Sequence, residues 1–200
     1  MHSHTPLGAG TAAFVIIDMQ VGHLPSVQSI PRERLVQGTV ILCKLAAALG
    51  IPIVLTTSRQ ALPAGGIIPE LEPFVADHPL IERTIINAWE DERVPSLIQH
   101  SGRTQLIFAG VALDVGVAFA AQSAAKAGYS AIIPVDAVGT VDARLESAAL
   151  INLSANGVEL TSVQAIGMEL LKDITSDHAT EVFKILGSAH SASDNPFQSL

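Results

Sequence analysis

The residues with chemical potential in this 200-residue chain stand at the ends of apolar runs. Asp18 closes the first run, Ala12-Ala13-Phe14-Val15-Ile16-Ile17, so its carboxylate sits at the mouth of a strand. Partial desolvation there would raise its pKa toward the range useful for proton transfer. The same aspartate could instead bond the following turn or cap a helix, and the local sequence allows both. A second run, Thr104 to Ala109, passes into Gly110-Val111-Ala112-Leu113-Asp114-Val115-Gly116-Val117. Backbone N–H groups at such a strand-to-helix link can stabilise an anion or a developing oxyanion. Gly116 keeps an N–H donor at this link but has no nucleophile, so no acyl-enzyme can form on it. The single cysteine, Cys43, lies in a stripe with Val36, Val40 and Ala47 and reads as a buried packing residue. His23, in the loop after Asp18, and Gln20, Trp89 and Phe119 complete the candidates for a pocket wall. Trp89 has core or interface packing as its other reading, and His23 that of an exposed loop residue.

The elements that must position these groups follow from hydrophobic spacing. Val- and Ile-rich strands are expected at Ala12 to Ile17, Ile51 to Thr57, Thr104 to Ala109, Ser130 to Val135 and Val158 to Thr161. Between them, helical spacing covers Pro31 to Leu49, Asp91 to His100, Val115 to Ala127, Ala143 to Asn156 and Val163 to Lys172. Gly102, Gly128 and Gly157 fall just after three of these, where a helix commonly stops. Strands alternating with crossover helices imply a parallel sheet covered on both faces, so the fold class is α/β. Such sheets bind ligands beyond the carboxyl ends of their strands, which directs attention to Asp18, Thr56 to Arg59, Gly110 to Gly116 and Asp136.

A hydrophobic content of 48 % with dispersed Gly and Pro suits a single domain over residues 1–200, burying roughly 70 % of its unfolded surface. Its core is expected from about 12 to 172, with both ends, including His2, His4 and the Ser-rich run from Ser188, mobile or used in subunit contacts. Eleven basic against nineteen acidic residues give a net charge of −8, which opposes binding to nucleic acid or anionic lipid. The lack of a signal-like start or a spanning apolar run points to the cytoplasm, with no membrane partner. Asn152-Leu153-Ser154 is then an incidental glycosylation match. One cysteine excludes an internal disulfide. The histidines are dispersed, so no metal is expected. Gly8-Ala9-Gly10 precedes its strand rather than following it, which excludes a dinucleotide fingerprint, and no cofactor is expected. A mean hydropathy of +0.42 with 15 % charged residues suggests a homo-oligomer, although a sheet buried on both faces contributes to the same value.

Asp18-Met19-Gln20, Arg83 followed by Ile86-Asn87-Ala88-Trp89-Glu90-Asp91, Gly110 to Val117, and Gly128-Tyr129 with Val135-Asp136-Ala137 resemble, in order and spacing, the isochorismatase-like cysteine hydrolases. The Asn-Ala-Trp segment and Leu55-Thr56-Thr57-Ser58 look most like the YcaC-like branch, whose members form homo-oligomers. The resemblance implies a three-layer α/β/α domain around a mainly parallel, six-stranded, Rossmann-like sheet. It implies an aspartate, lysine and cysteine triad, for which this chain supplies Asp18, Arg83 and Gly116. It also implies a cis peptide at Val111–Ala112, aiming the Ala112 N–H, with that of Gly116, at an oxyanion. Arginine occurs at or near the lysine position in this branch; Arg83 could orient Asp18 or bind an anionic substrate, though as a permanent cation it donates protons poorly. Its other reading is a surface or interface arginine paired with Glu82 or Glu90. Isochorismatases of the same superfamily also carry a small residue at the cysteine position and use water as the attacking group and the aspartate as proton donor. This chain lacks their Tyr-Ala-His pattern, having Ala112-Leu113-Asp114-Val115. It also lacks the nicotinamidase Asp-x-His metal pair, having Thr56-Thr57-Ser58-Arg59. The expectation is a hydrolase of a small polar substrate by Asp18-assisted water attack. The alternatives are a catalytically silent binding or scaffold homologue, or an amide or imide hydrolase disabled by replacement of its cysteine.

Overall fold

The computed structural model describes residues 5–61 and 63–188. The expectations for His2, His4 and the chain from residue 189 onward lie outside the described residues. Among the described residues, seven strands form one sheet: β1 (Ala12–Ile17), β2 (Ile53–Ser58), β3 (Leu80–Arg83), β4 (Gln105–Val111), β5 (Ser130–Pro134), β6 (Val138–Gly139) and β7 (Glu159–Thr161). Six run in the order β3-β2-β1-β4-β5-β7, and the two-residue β6 joins β4 beyond the end of β5. Every ladder is parallel, with β1 between β2 (Ile16 opposite Leu55) and β4 (Ile16 opposite Ala109).

Seven α-helices among the described residues accompany the sheet: α1 (Arg32–Ala48), α2 (Glu72–Val75), α3 (Arg93–Ser101), α4 (Ala118–Lys126), α5 (Ala143–Ala155), α6 (Val163–Leu171) and α7 (Ala179–Gly187). Strand alternation divides β1 between two cores. Phe14 and Ile16 pack with Leu42 of α1, Ile166 of α6 and Val182 of α7. Ala13, Val15 and Ile17 pack with Val94 of α3, Ala121 of α4 and Leu153 of α5. This is the three-layer α/β/α arrangement, and the full burial of β1 and β4 explains why both read as unbroken apolar runs. Side-chain caps begin two helices: Asp142 accepts from the Arg144 N–H at 2.7 Å and Ser162 from the Ala165 N–H at 3.2 Å. Gly102 ends α3 in the left-handed region at φ 67°.

Three features depart from the sequence reading. β3 was not expected, because Glu82 and Arg83 interrupt its apolar pattern; it is an edge strand, paired only with β2. The expected helix Val115 to Ala127 is divided into a π-helical turn, Leu113–Val117, and α4. Finally, α7 places Val182, Ile185 and Leu186 in the core, so packing continues to Gly187 after a polar connection over 172–178. Its amphipathic spacing is clear, but it is short and follows that polar segment.

Candidate active site

Asp18 is the first residue past β1, and its backbone leaves the sheet in the left-handed region at φ 52°, a conformation uncommon outside glycine and characteristic of functional turns. Its N–H still bonds Thr56 O at 2.9 Å, while its carbonyl accepts from the Gln20 N–H at 2.7 Å. The carboxylate therefore projects at the carboxyl end of the two central strands. On the neighbouring strand, Gly110 has φ 127°, and a Cβ there would lie 1.9 Å from Ile17 O. Only glycine allows β4 to approach β1 so closely. The Val111–Ala112 peptide that follows is cis, as the resemblance implied. Thr140 then bonds the Asp114 carboxylate across to the π-helical turn.

Arg83, the last residue of β3, is 3 % exposed, and all its observed bonds serve this site. Nη2 donates to Asp18 Oδ2 at 2.5 Å, and Nη1 donates to Ile85 O at 2.6 Å and Ile86 O at 3.0 Å. The guanidinium thus fixes both the carboxylate and the turn beyond β3. Asp18 Oδ1 and Arg83 Nε are buried without a hydrogen-bond partner among the described residues. Burial pushes the Asp18 carboxyl above its ordinary range, and the charge and hydrogen bond of Arg83, then the charge of His23 and the nearby Ser58 backbone N–H, limit the rise.

A second group of bonds joins the loop after Asp18 to the end of β2. Gln20 is fully buried. Its Nε2 donates to Gly65 O at 2.6 Å and Ser58 O at 3.3 Å, while its Oε1 accepts from the Ser58 N–H at 2.8 Å and lies 2.9 Å from Ser58 Oγ. His23 Nε2 lies 3.0 Å from the same Oγ.

These elements enclose a cleft of about 520 Å³, walled by Asp18, His23, Ser58, Arg83, Ala112 and Gly116, with Arg59, Ile86 and Val115 toward its opening. The volume falls within the range of small-molecule sites. Gly116 is buried, yet an added Cβ would meet only Ile17 Cγ2 at 3.5 Å, Asp18 Oδ2 at 3.8 Å and Val111 O at 3.8 Å. The wall therefore has room for a small side chain beside the carboxylate.

Five of the candidate residues are brought together: Asp18, His23, Arg83, Ala112 and Gly116. Gln20 stands behind the wall as a tether. Trp89 stacks edge-on against Tyr129, with ring centroids 5.2 Å apart at 70°. Phe119 is 44 % exposed and lines a neighbouring groove with Ile85 and Ile86. Cys43 lies in the core formed with α1, and burial pushes its thiol up to about 12. Ser58 and Arg59 fall within the strand-end segment Thr56 to Arg59 that the sequence marked as facing ligand, although neither was given a role there. Among the described residues, no three His, Cys, Asp or Glu side chains gather to hold a metal, and no helix is long and apolar enough to cross a membrane.

The family model of the isochorismatase domain matches residues 12–165, which include every wall of this cleft. The chain belongs to the isochorismatase family. Within that family it falls in the YcaC-like branch. The probable hydrolase YcaC of Escherichia coli (strain K12) is 34 % identical over 172 residues, covering 86 % of this chain and 83 % of the relative. The solved structure of YcaC from Pseudomonas aeruginosa, with hexane-2,5-diol and covalent acrylamide, superposes with a TM-score of 0.93 at 32 % identity. It covers 100 % of this chain and 98 % of its own. The Escherichia coli YcaC structure, described as an octameric hydrolase of unknown specificity, gives 0.90 at 30 % identity, covering 94 % of this chain and 93 % of its own.

Proposed function

We propose that the chain hydrolyses a small polar substrate by attack of water, with Asp18 as proton donor and no covalent intermediate. The observation that carries this reading is the division of labour on the Asp18 carboxyl. Oδ2 is fixed by Arg83, while Oδ1 is buried and without a geometrically formed hydrogen bond among the described residues. An unpartnered polar atom in the protein interior costs about 1–3 kcal/mol; a proton on Oδ1, directed to substrate, satisfies it, and burial favours the protonated form. Water adds to the electrophilic carbon as Asp18 Oδ1–H protonates the leaving atom. Charge developing on oxygen is met by the Ala112 and Gly116 N–H groups at the start of the π-helical turn. Gly116 stands where the branch's nucleophile would project, which removes the acyl-enzyme route.

The full assembly is a homo-oligomer on this reading, consistent with the octamer of Escherichia coli YcaC. Ile85, Ile86 and Phe119, at 42 %, 63 % and 44 % exposed, supply an apolar face beside the cleft for another subunit to cover. The protein acts as a single domain in the cytoplasm, without metal or cofactor.

The test is hydrolysis of an amide, imide and isochorismate panel by the unmodified chain and by Asp18→Ala. Turnover that disappears with Asp18→Ala supports the proposal. Absence of turnover across the panel counts against it and favours a binding homologue.

A further inference from the structure

The bonds around Ser58 determine which nitrogen of His23 carries its proton. Gln20 Oε1 faces the Ser58 N–H at 2.8 Å, and Gln20 Nε2 faces Gly65 O at 2.6 Å. Rotating the amide by half a turn would oppose donor to donor and acceptor to acceptor, so this orientation is fixed. The Ser58 hydroxyl, 2.9 Å from Oε1, must then donate to it. With its hydrogen committed, Ser58 Oγ can only accept from the imidazole at 3.0 Å, which requires a hydrogen on His23 Nε2. Neutral His23 therefore has its lone pair on Nδ1.

We propose that His23 is the general base of this site, accepting at Nδ1 the proton that the attacking water loses. This rests on the water-attack reading above and supplies the proton acceptor that reading lacks. A water O–H bond breaks, its proton passes to Nδ1, and its oxygen forms the new bond to the substrate carbon. The scissile bond breaks as its leaving atom takes the proton from Asp18 Oδ1. The cycle closes when imidazolium returns a proton to the Asp18 carboxylate, so one water is consumed and no other reactant is needed. His23 is well placed for this: it walls the same cleft as Asp18. Its backbone is held by the Gln20 carbonyl at 3.1 Å and its carbonyl by the Ser26 hydroxyl at 2.7 Å. The other charged groups lining the cleft are Arg59 and Arg83. Ser58 and Gln20 are positioning residues, acting through the imidazole.

The experiment combines long-range ¹H–¹⁵N NMR of the full chain with kinetics on the amide, imide and isochorismate panel. The expected spectrum shows neutral His23 as the Nε2–H tautomer, and Ser58→Ala releases it to a mixture. Among the kinetics, His23→Gln lowers kcat by about 10²-fold or more with KM unchanged, and added imidazole restores rate to His23→Ala. A structural role would show no such rescue. A neutral Nδ1–H His23, or turnover that survives His23→Gln, would overturn this role while leaving Asp18-assisted hydrolysis standing. An Nε2–H His23 in a chain silent toward the panel would overturn both.

Discussion

Gly116→Cys tests the geometry of the cleft wall. The new Cβ would find neighbours at 3.5 to 3.8 Å, ordinary contact distances, and position 116 has no positive φ to resist a side chain. Replacing a glycine inside a helical turn removes about 0.5–1 kcal/mol of unfavourable chain entropy. In a domain of this size that corresponds to a Tm increase of about 1–4 °C. The introduced sulfur would stand beside Asp18 in the first turn of a helix. The helix start and Arg83 favour its thiolate, whereas Asp18 and burial oppose it, so an ordinary thiol is a fair reference. At about pH 8 such a thiol is about one-quarter ionised. Cys43, pushed up to about 12, is about 10⁻⁴ ionised at the same pH. Thiolate population alone therefore favours the introduced thiol by about 10³-fold, and the complete burial of Cys43 widens the margin. A time course of acrylamide alkylation by intact mass, followed by peptide mapping, should show one rapid addition at position 116. Alkylation no faster than at Cys43, or a Tm decrease of several degrees, would refute the claim that this wall accommodates a nucleophile.

Gly110→Ala should abolish soluble expression or lower Tm by more than 10 °C in thermal denaturation, because its Cβ would overlap Ile17 O at 1.9 Å in a backbone region alanine avoids. Cys43→Ala should lower stability by about 1–2 kcal/mol in urea titration and leave turnover per folded molecule unchanged; loss of turnover would revive Cys43 as a nucleophile. Arg83→Lys cannot reproduce three bonds from one planar fork, and should lower kcat/KM by at least about 10-fold in the panel assay. Asp18 also predicts a pH dependence of stability. Its folded pKa is raised, so the native state retains a proton that the unfolded chain has released, and its stabilising effect is full below the unfolded value and falls as pH rises through the folded one. Asp18→Asn should therefore gain stability relative to the unmodified chain as pH increases from about 4 in a urea series, and a constant difference would contradict the direction of that shift.

The central strands were legible because burial on both faces writes them as continuous apolar runs, and Asp18 was legible because it breaks the first of them. Arg83 was harder to place. Its strand is a short edge in which only Ile81 and Arg83 are buried, so hydrophobic pattern gave no sign of it and the family resemblance supplied the residue. Ser58 was marked only as part of the strand end Thr56 to Arg59, and its role escaped notice for a different reason. Serine at a strand end is unremarkable until Gln20, 38 positions earlier, is seen to face it. Gln20 and Trp89 lie in segments that feed the site, and their side chains make supporting contacts, packing being the other reading that the sequence offered for Trp89. Sequence spacing identifies which loops reach the end of a sheet, whereas the direction of each side chain depends on turns such as that at Asp18.

The placement of Arg83 on an edge strand has a dynamic consequence. β3 contributes four residues and is hydrogen-bonded along one side, so it belongs among the parts of the sheet that open without global unfolding. Its fraying would withdraw the guanidinium from Asp18 and leave a buried carboxyl oxygen without its hydrogen-bond donor, which penalises the opened state. The Arg83–Asp18 contact thus acts as a latch on the sheet edge, and amide exchange in β3 should report how firmly the site is assembled.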